Sequence, residues 1–118
     1  MNRTYGFPLA LVTLALIGCG GAAVPHDQLA SSQAAVRAAE EVGANNLPQA
    51  ELHVRFAKDQ IDRAKALIAD DDNEEAKLVL QRAQADAELA IALTKESTVR
   101  AEAHQAMQQV QALRQKAQ

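Results

Sequence analysis

The sequence predicts an all-α protein: an elongated antiparallel helical hairpin, coiled-coil-like, with a shorter N-terminal helix, three helices in total. The first observation is composition, because the 118 residues are rich in Ala and include two Phe, one Tyr and no Trp. Ala is the best helix former and leaves little volume between packed helices. The second is a heptad spacing of apolar residues in two consecutive segments. The third is the lack of strand signals, since the sequence has no alternating β-branched run and no Asn-Gly or Asp-Gly turn.

The first 18 residues are predicted to be a signal peptide rather than part of the fold. Arg3 supplies a positive start, and an apolar stretch follows from Gly6 to Ile17. At ~1.5 Å per residue this stretch would span about 18 Å as a helix, short of the ~30 Å hydrocarbon core. It therefore fits a signal-peptide core better than a transmembrane helix.

The signal segment ends in Leu16-Ile17-Gly18-Cys19, which resembles the bacterial lipobox. The resemblance implies that cleavage follows Gly18 and that Cys19 becomes the lipid-modified first residue. Several acyl chains make a durable membrane anchor. Gly20 follows the cysteine, instead of the Asp that resembles an inner-membrane retention signal, so the expected location is the periplasmic face of the outer membrane. The alternative is an ordinary signal peptide with a chance Cys.

Residues 19–26 are then predicted to be the lipidated Cys and a flexible tether, and residues 27–118 an Ala-rich helical domain. The Asp27 carboxylate is placed to cap helix one. The apolar positions of this helix are Leu29, Ala35, Ala39 and Val42. The segment from Gly43 to Leu47 ends it, and Asn46 is placed to cap helix two.

The hairpin arms are predicted at 48–69 and 73–97, turned by the acidic run from Asp70 to Asn73. Apolar or small residues at heptad spacing form a seam in each arm: Leu47, Ala50, Val54, Ala57, Ile61, Ala64 and Ile68, then Ala76, Leu80, Ala83, Ala87, Ala90, Thr94 and Ser97. Folding the chain at the turn opposes large residues to small ones, with Ala64 facing Leu80, Ala57 facing Ala87 and Val54 facing Ala90. Such alternation favours close packing. Asp72 and Glu75 form a capping box that opens helix three.

Beyond Ser97 the apolar spacing changes phase, to Val99, Ala103, Ala106, Val110, Leu113 and Ala117. The change predicts a shifted seam or a break near 94–98. One arrangement places helices one and two end to end along a long third helix, with Val42 facing Ala103 and Ala35 facing Val110. A compact three-helix bundle is the alternative.

Three short motifs carry a resemblance to a known family: Val42-Gly43-Ala44, Pro48-x-x-Glu51-Leu52 and the Ala-rich run from Ala83 to Ala90. They resemble an uncharacterised Ala-rich domain family of bacterial envelope lipoproteins. The resemblance implies an envelope location and an association with OmpA-like peptidoglycan-binding domains. Because an OmpA-like domain is not found up to Gln118, peptidoglycan contact is left open.

The sequence does not predict catalysis, a cofactor or a metal site. His26, His53 and His104 lie on three different segments, whereas a metal site needs three or four converging ligands, so the three histidines are expected to face solvent. The acidic run at 70–75 is a poor calcium loop, since it lacks the required Gly and has Gln81 where a bidentate Glu is needed. A nucleophile with its base is not apparent. The formal charge of −3 and the lack of a basic cluster argue against nucleic acid.

Six large apolar residues outside the seam are the candidate partner-binding residues. We call them the partner strip: Leu52, Phe56, Leu67, Leu78, Leu89 and Leu93. Either helix one covers this strip, or the strip is a surface for an envelope protein or a second copy. The sequence therefore favours a lipid-anchored structural or interaction module of the cell envelope. The alternative is a lipoprotein carrier that holds an apolar ligand between its helices.

Overall fold

Residues 21–118 are described by a computed structural model of the chain. The predicted signal peptide, with Gly18, and the predicted lipidation site Cys19 lie outside the described residues. Within the described range the chain is helical and contains no strand. This confirms the predicted all-helical class.

Three α-helices and one short 3-10 helix make up the fold. Their bounds are α1, His26–Glu41; the 3-10 helix, Ala44–Asn46; α2, Pro48–Ala69; and α3, Asn73–Lys116. α2 and α3 form the predicted antiparallel hairpin, and their interface is the most extensive in the described chain. α3 has 44 residues, so at ~1.5 Å per residue it is about 66 Å long.

The hairpin seam is the core of the molecule. Every predicted seam residue from Ala50 to Ala64 and from Ala76 to Ala90 is buried, whereas Leu47, Ile68, Thr94 and Ser97 are half-buried. Val54 and Leu80 are the two largest fully buried apolar side chains, and the predicted register places Ala opposite each of them. The heptad prediction of which faces meet is confirmed.

The acidic turn closes the hairpin with hydrogen bonds from its own backbone. The Asp72 N–H donates to the carbonyl oxygen of Leu67 at 2.9 Å, and the Asp71 N–H donates to that of Ile68 at 3.2 Å. Asp71 adopts a left-handed φ of 61°, which completes a Schellman motif at the end of α2. The Asp72 carboxylate accepts the Glu75 N–H at 3.4 Å, which confirms Asp72 as the cap of α3. The return bond of the predicted capping box is not formed, because the Asp72 N–H is bonded to Leu67 and the Glu75 carboxylate to Arg63.

The predicted side-chain caps of α1 and α2 do not form. α1 begins at His26, because the carbonyl oxygen of Pro25 already accepts the Leu29 N–H at 3.0 Å. Asp27 thus lies inside the first turn, where its negative charge interacts favourably with the helix dipole. Asn46 ends the 3-10 helix, and α2 starts with a Pro at its first position, where proline's missing N–H costs nothing.

α1 lies lengthwise on the hairpin and runs parallel to α3. Just before α1, the Ala22 carbonyl oxygen accepts a hydrogen bond from Asn73 Nδ2 at 2.9 Å. Just after it, Val42 lies beside Thr94 and Thr98. The predicted end-to-end arrangement of α1 and α2 is therefore wrong, and the alternative three-helix bundle is correct for residues 26–97.

The residues that α1 buries differ in part from those predicted. Ser32, Val36 and Ala39 are buried, whereas Val42 is exposed at the end of the helix. A helix that lies in the groove between α2 and α3 buries a stripe against both neighbours, and this lateral docking removes more apolar surface from water than contact with one helix end to end.

α3 continues without a break through residues 94–98, where the sequence predicts either a shifted seam or a break. The Thr94 and Thr98 hydroxyls donate to the carbonyl oxygens of Ala90 and Thr94, at 2.8 and 3.0 Å. These local bonds satisfy both hydroxyls inside the helix. Residues 98–116, which we call the tail, extend beyond the bundle and are exposed throughout. The predicted contact of α1 with the tail residues Ala103 and Val110 is absent.

The closest packing in the seam predicts a specific sensitivity to added volume. Ala57 is 0% exposed, so Ala57→Leu should destabilise the fold by ~1–3 kcal/mol through overpacking. Ala66 lies on the same helix and is exposed, so Ala66→Leu is the matched control and should change stability by less than ~0.5 kcal/mol. Urea unfolding followed by circular dichroism measures both. Equal stability of the two variants would contradict the packing of this seam.

Candidate interaction surface

The two sides of the hairpin differ because α1 covers only one of them. On the covered side, Lys58, Ile61 and Lys65 of α2 line a groove together with Val36 of α1. Near the end of α1, Lys58 Nζ donates to Glu40 Oε1 at 2.5 Å. This hydrogen bond, with the positive charge of Lys58, holds the pKa of Glu40 below its usual value. Both side chains are partly exposed, so the pair adds little stability.

The opposite side of the hairpin is open and carries the partner strip. At 100° per residue, Phe56 and Leu67 project from the side of α2 opposite Lys58 and Lys65. Phe56 is 45% exposed and Leu89 is 43% exposed. Leu52 and Leu78 are also exposed, whereas Leu67 and Leu93 are half-buried against the core. α1 does not cover this strip, so within residues 21–118 the strip is an exposed apolar surface.

A polar cluster lies between the partner-strip residues of α2 and those of α3. Asp86 on α3 accepts two hydrogen bonds from α2: one with His53 Nδ1 at 2.8 Å and one from Gln60 Nε2 at 2.7 Å. The three side chains are half-buried. The His53 ring also makes an edge contact with Phe56, with centroids 6.1 Å apart. Asp86 therefore connects the two helices at the centre of the open side.

A second polar contact crosses the hairpin closer to the turn. Arg63 Nη2 donates to Glu75 Oε1 at 2.6 Å, and both side chains are largely exposed. Exposed ion pairs of this kind contribute ~0–1 kcal/mol. The pair therefore affects the charge of the open side more than its stability.

Sequence reasoning missed the His53–Asp86 contact, because it placed the three histidines in solvent. For His53 that prediction is wrong. Val54 and Ala87 both belong to the seam, so the residue just before each of them lies at the seam's edge. The sequence signal for this contact is that His53 and Asp86 are polar residues at facing edges of the seam. A polar side chain at such a half-buried position is expected to form a hydrogen bond.

The tail presents a second apolar surface, the tail stripe, made of the predicted residues Val99, Ala103, Ala106, Val110, Leu113 and Ala117. Val99 is 63% exposed and Leu113 66%. Met107 lies beside the stripe and is also exposed. A helix with an exposed stripe at heptad spacing is typical of one that pairs with another helix. The described chain thus exposes two apolar surfaces: the partner strip, on α2 and the first half of α3, and the tail stripe, on the second half of α3.

A comparison with known protein families assigns the helical part of the chain. Residues 27–106 match a family described as Domain of unknown function (DUF4398). The chain belongs to this family. The DUF4398 match covers the three-helix bundle and the first half of the tail, and it confirms that the domain is uncharacterised. Neither the curated proteins nor the solved structures contain a match to the chain.

Among residues 21–118, no three His, Cys, Asp or Glu side chains converge in a way that could hold a metal ion. Across the same residues, no helix is both long and apolar enough to cross a membrane. The described features that stand out are therefore the partner strip, with Asp86 at its centre, and the tail stripe.

The Asp86 cluster predicts an energetic coupling across the hairpin. Asp86→Ala should destabilise the DUF4398 domain by ~1–2 kcal/mol, because His53 and Gln60 both lose a charged acceptor. In a double-mutant cycle with His53→Ala, the coupling should be ~0.5–1.5 kcal/mol. Glu88→Ala is the control, since Glu88 bonds only Gln84 on its own helix. A coupling near zero would show that the His53–Asp86 contact contributes nothing.

Proposed function

We propose that this protein is a periplasmic lipoprotein, anchored in the outer membrane through Cys19, that acts by contact as a structural or interaction module of the cell envelope. The supporting sequence feature is the lipobox-like segment that ends at Cys19. The supporting structural feature is the partner strip, which carries the proposal.

The partner strip supports a contact function because of where the large side chains lie. The core is built mostly of Ala, which buries few methylenes, each worth only ~0.8 kcal/mol. Phe56 and Leu89 lie outside that core and are nearly half exposed. A small domain gains stability by burying such residues, so leaving them at the surface favours a role in recognition.

The alternative, a carrier of apolar ligands, finds less support in this fold. A carrier needs a cavity between its helices. The seam residues from Ala57 to Ala64 and from Ala76 to Ala87 are 0 to 5% exposed, and small side chains in close contact leave little volume between α2 and α3. A ligand would have to lie on the open side, which is the surface we assign to a protein partner.

The path of the chain before α1 defines the orientation relative to the proposed anchor. Pro25 is buried, and Ala22 is bonded to the first residue of α3. Only three residue steps separate Cys19 from Ala22, which reach at most about 10 Å. The acidic turn would therefore lie next to the membrane, with the tail at the opposite end of the molecule.

The proposed anchor is tested by replacing the Cys19 sulfur, to which the lipid would be attached. Cys19→Ser should abolish incorporation of a labelled fatty acid and release the protein from the membrane fraction, because the serine hydroxyl does not replace the thiol. Labelling in cells and fractionation measure both effects. Continued labelling of the variant would mean that Cys19 is not the lipidation site.

The contact surface is tested by placing charge on it. The double variant Phe56→Glu and Leu89→Glu should lose cross-links to its partner in cells while circular dichroism still shows full helix, because both side chains are exposed. Ala66→Glu with Gln81→Glu is the matched control, since it adds two carboxylates to exposed positions of the same helices away from the strip.

Two results would contradict the assignment of this surface. If the double variant unfolds, the partner strip serves the fold. If it stays folded and retains every cross-link, the contact lies elsewhere on the chain.

A further inference from the structure

We propose that the partner is a second copy of this chain, with the two α3 helices antiparallel and the tail of each copy lying along the outward face of the other copy's α3, over Leu78 and Leu89 of the partner strip. This inference rests on the proposed contact function and names the partner. It would join the tail stripe and these two residues in one symmetric interface.

The first argument is that the two surfaces share one heptad. From Val99 towards the turn, the spacings of four and three residues continue without a phase change through Glu96, Ala92, Leu89, Ala85, Arg82 and Leu78. All of these residues are exposed. A single stripe, which we call the outer stripe, therefore runs along α3 from Leu78 to Ala117, on the side away from the seam. Uninterrupted heptads over this length are typical of a long helix–helix contact.

The second argument is the match of sizes when the stripe pairs with itself in the antiparallel direction. In the register that centres the contact between Glu96 and Val99, Leu89 faces Ala106 of the second copy, and Ala85 faces Val110 of the second copy. Ala92 faces Ala103 of the second copy. Two of these layers oppose a large residue to a small one and the third pairs two Ala, which lets the backbones approach closely. The layers Glu96–Val99 and Arg82–Leu113 of the same register pair larger side chains.

The third argument is charge at the edges of the stripe. In the antiparallel register Lys95 lies beside Glu102 of the second copy, and the two-fold symmetry makes this attractive pair twice. A parallel pairing would instead place Arg82 against Arg82 and Glu96 against Glu96 in the core, with Lys95 beside Arg100. Like charges in these positions are destabilising, so the charges favour the antiparallel direction.

The fourth argument is charge along the whole helix. The end of α3 at the turn is acidic, with Glu74 and Glu75 in its first turn next to Asp72. The other end is basic, with Arg114 and Lys116 in its last turn. In the register above, Lys116 lies beside residue 79 of the second copy, about one helical turn from Glu75 of that copy, so antiparallel packing brings the basic end of each copy towards the acidic end of the other. The helix dipoles are also opposed in this arrangement.

The fifth argument is length. The 19 tail residues, 98 to 116, span about 28 Å as a helix. The part of α3 that carries the partner strip, residues 78 to 93, spans about 22 Å. One tail is therefore long enough to lie along the part of α3 that carries Leu78 and Leu89, so each copy adds a fourth helix to the other copy's three-helix bundle.

The charge pair provides the first test. The full-length chain, in a mild detergent, should be a dimer by sedimentation equilibrium. Lys95→Glu and Glu102→Lys should each weaken the dimer about 10-fold, because two attractive pairs become repulsive. Combining both substitutions restores opposite charges, so the dimer dissociation constant of the double variant should be within about 3-fold of that of the unmodified chain. Lys77→Glu, an exposed charge change outside the stripe, is the control.

Disulfide trapping tests the direction of pairing. In the full-length chain with Cys19→Ser, the variants Ala92→Cys and Ala103→Cys should not cross-link with themselves under mild oxidation. A mixture of the two variants should cross-link, because only Cα atoms within about 7 Å can be bridged. Cross-linking of either variant with itself would indicate parallel pairing and would overturn the proposal.

The oligomeric state also separates this inference from the function on which it rests. A monomer at all concentrations tested would overturn self-pairing. If that monomer still cross-links in cells to another protein through Phe56 and Leu89, the contact function holds and the partner is a different protein. If the monomer makes no such cross-link, both proposals fail.

Discussion

The close approach of two Ala-rich helix faces is the interaction on which the rest of this structure depends. Ala57, Ala83 and Ala87 bring α2 and α3 together with their side chains fully buried. Such a seam fills space well but removes little apolar surface from water. The hairpin therefore needs a third helix on one side, which α1 supplies. On the other side nothing in the described chain covers Phe56 and Leu89.

The polar contacts on the open side give the seam a fixed alignment. Two Ala faces can slide past each other at low cost, because their surfaces are nearly smooth. Asp86, held by His53 and Gln60 of the facing helix, would lose both hydrogen bonds if the helices shifted by one turn. We infer that this cluster specifies the register, a role in which buried or half-buried polar groups are well attested. It also places a negative charge among apolar residues where a partner helix would pack.

Much of this fold could be predicted from the sequence, because helical periodicity records which face is buried. The seam and the turn at Asp71 follow from the sequence pattern, whereas spacing alone left open whether helix one covers Leu78 and Leu89. The docking of α1 did not follow, since its stripe of Ser32, Val36 and Ala39 has small or polar members and gives a weak signal. The contact of His53 with Asp86 also depends on two helices at once. The change of apolar phase near Thr94 predicts either a shifted seam or a break, and α3 is continuous there because one helix can present different faces to different neighbours.

The attachment of Ala22 to the start of α3 has a geometrical consequence for any pair of copies. Each proposed anchor leaves its molecule at the acidic turn. In an antiparallel dimer these turns lie at opposite ends, about 70 Å apart along the common helix axis. With only a few residues of slack at each anchor, two lipids in one flat bilayer can be reached only if the dimer lies parallel to the surface. A pair would then be fastened at both ends along the membrane, whereas one copy alone is held at a single end and is free to tilt.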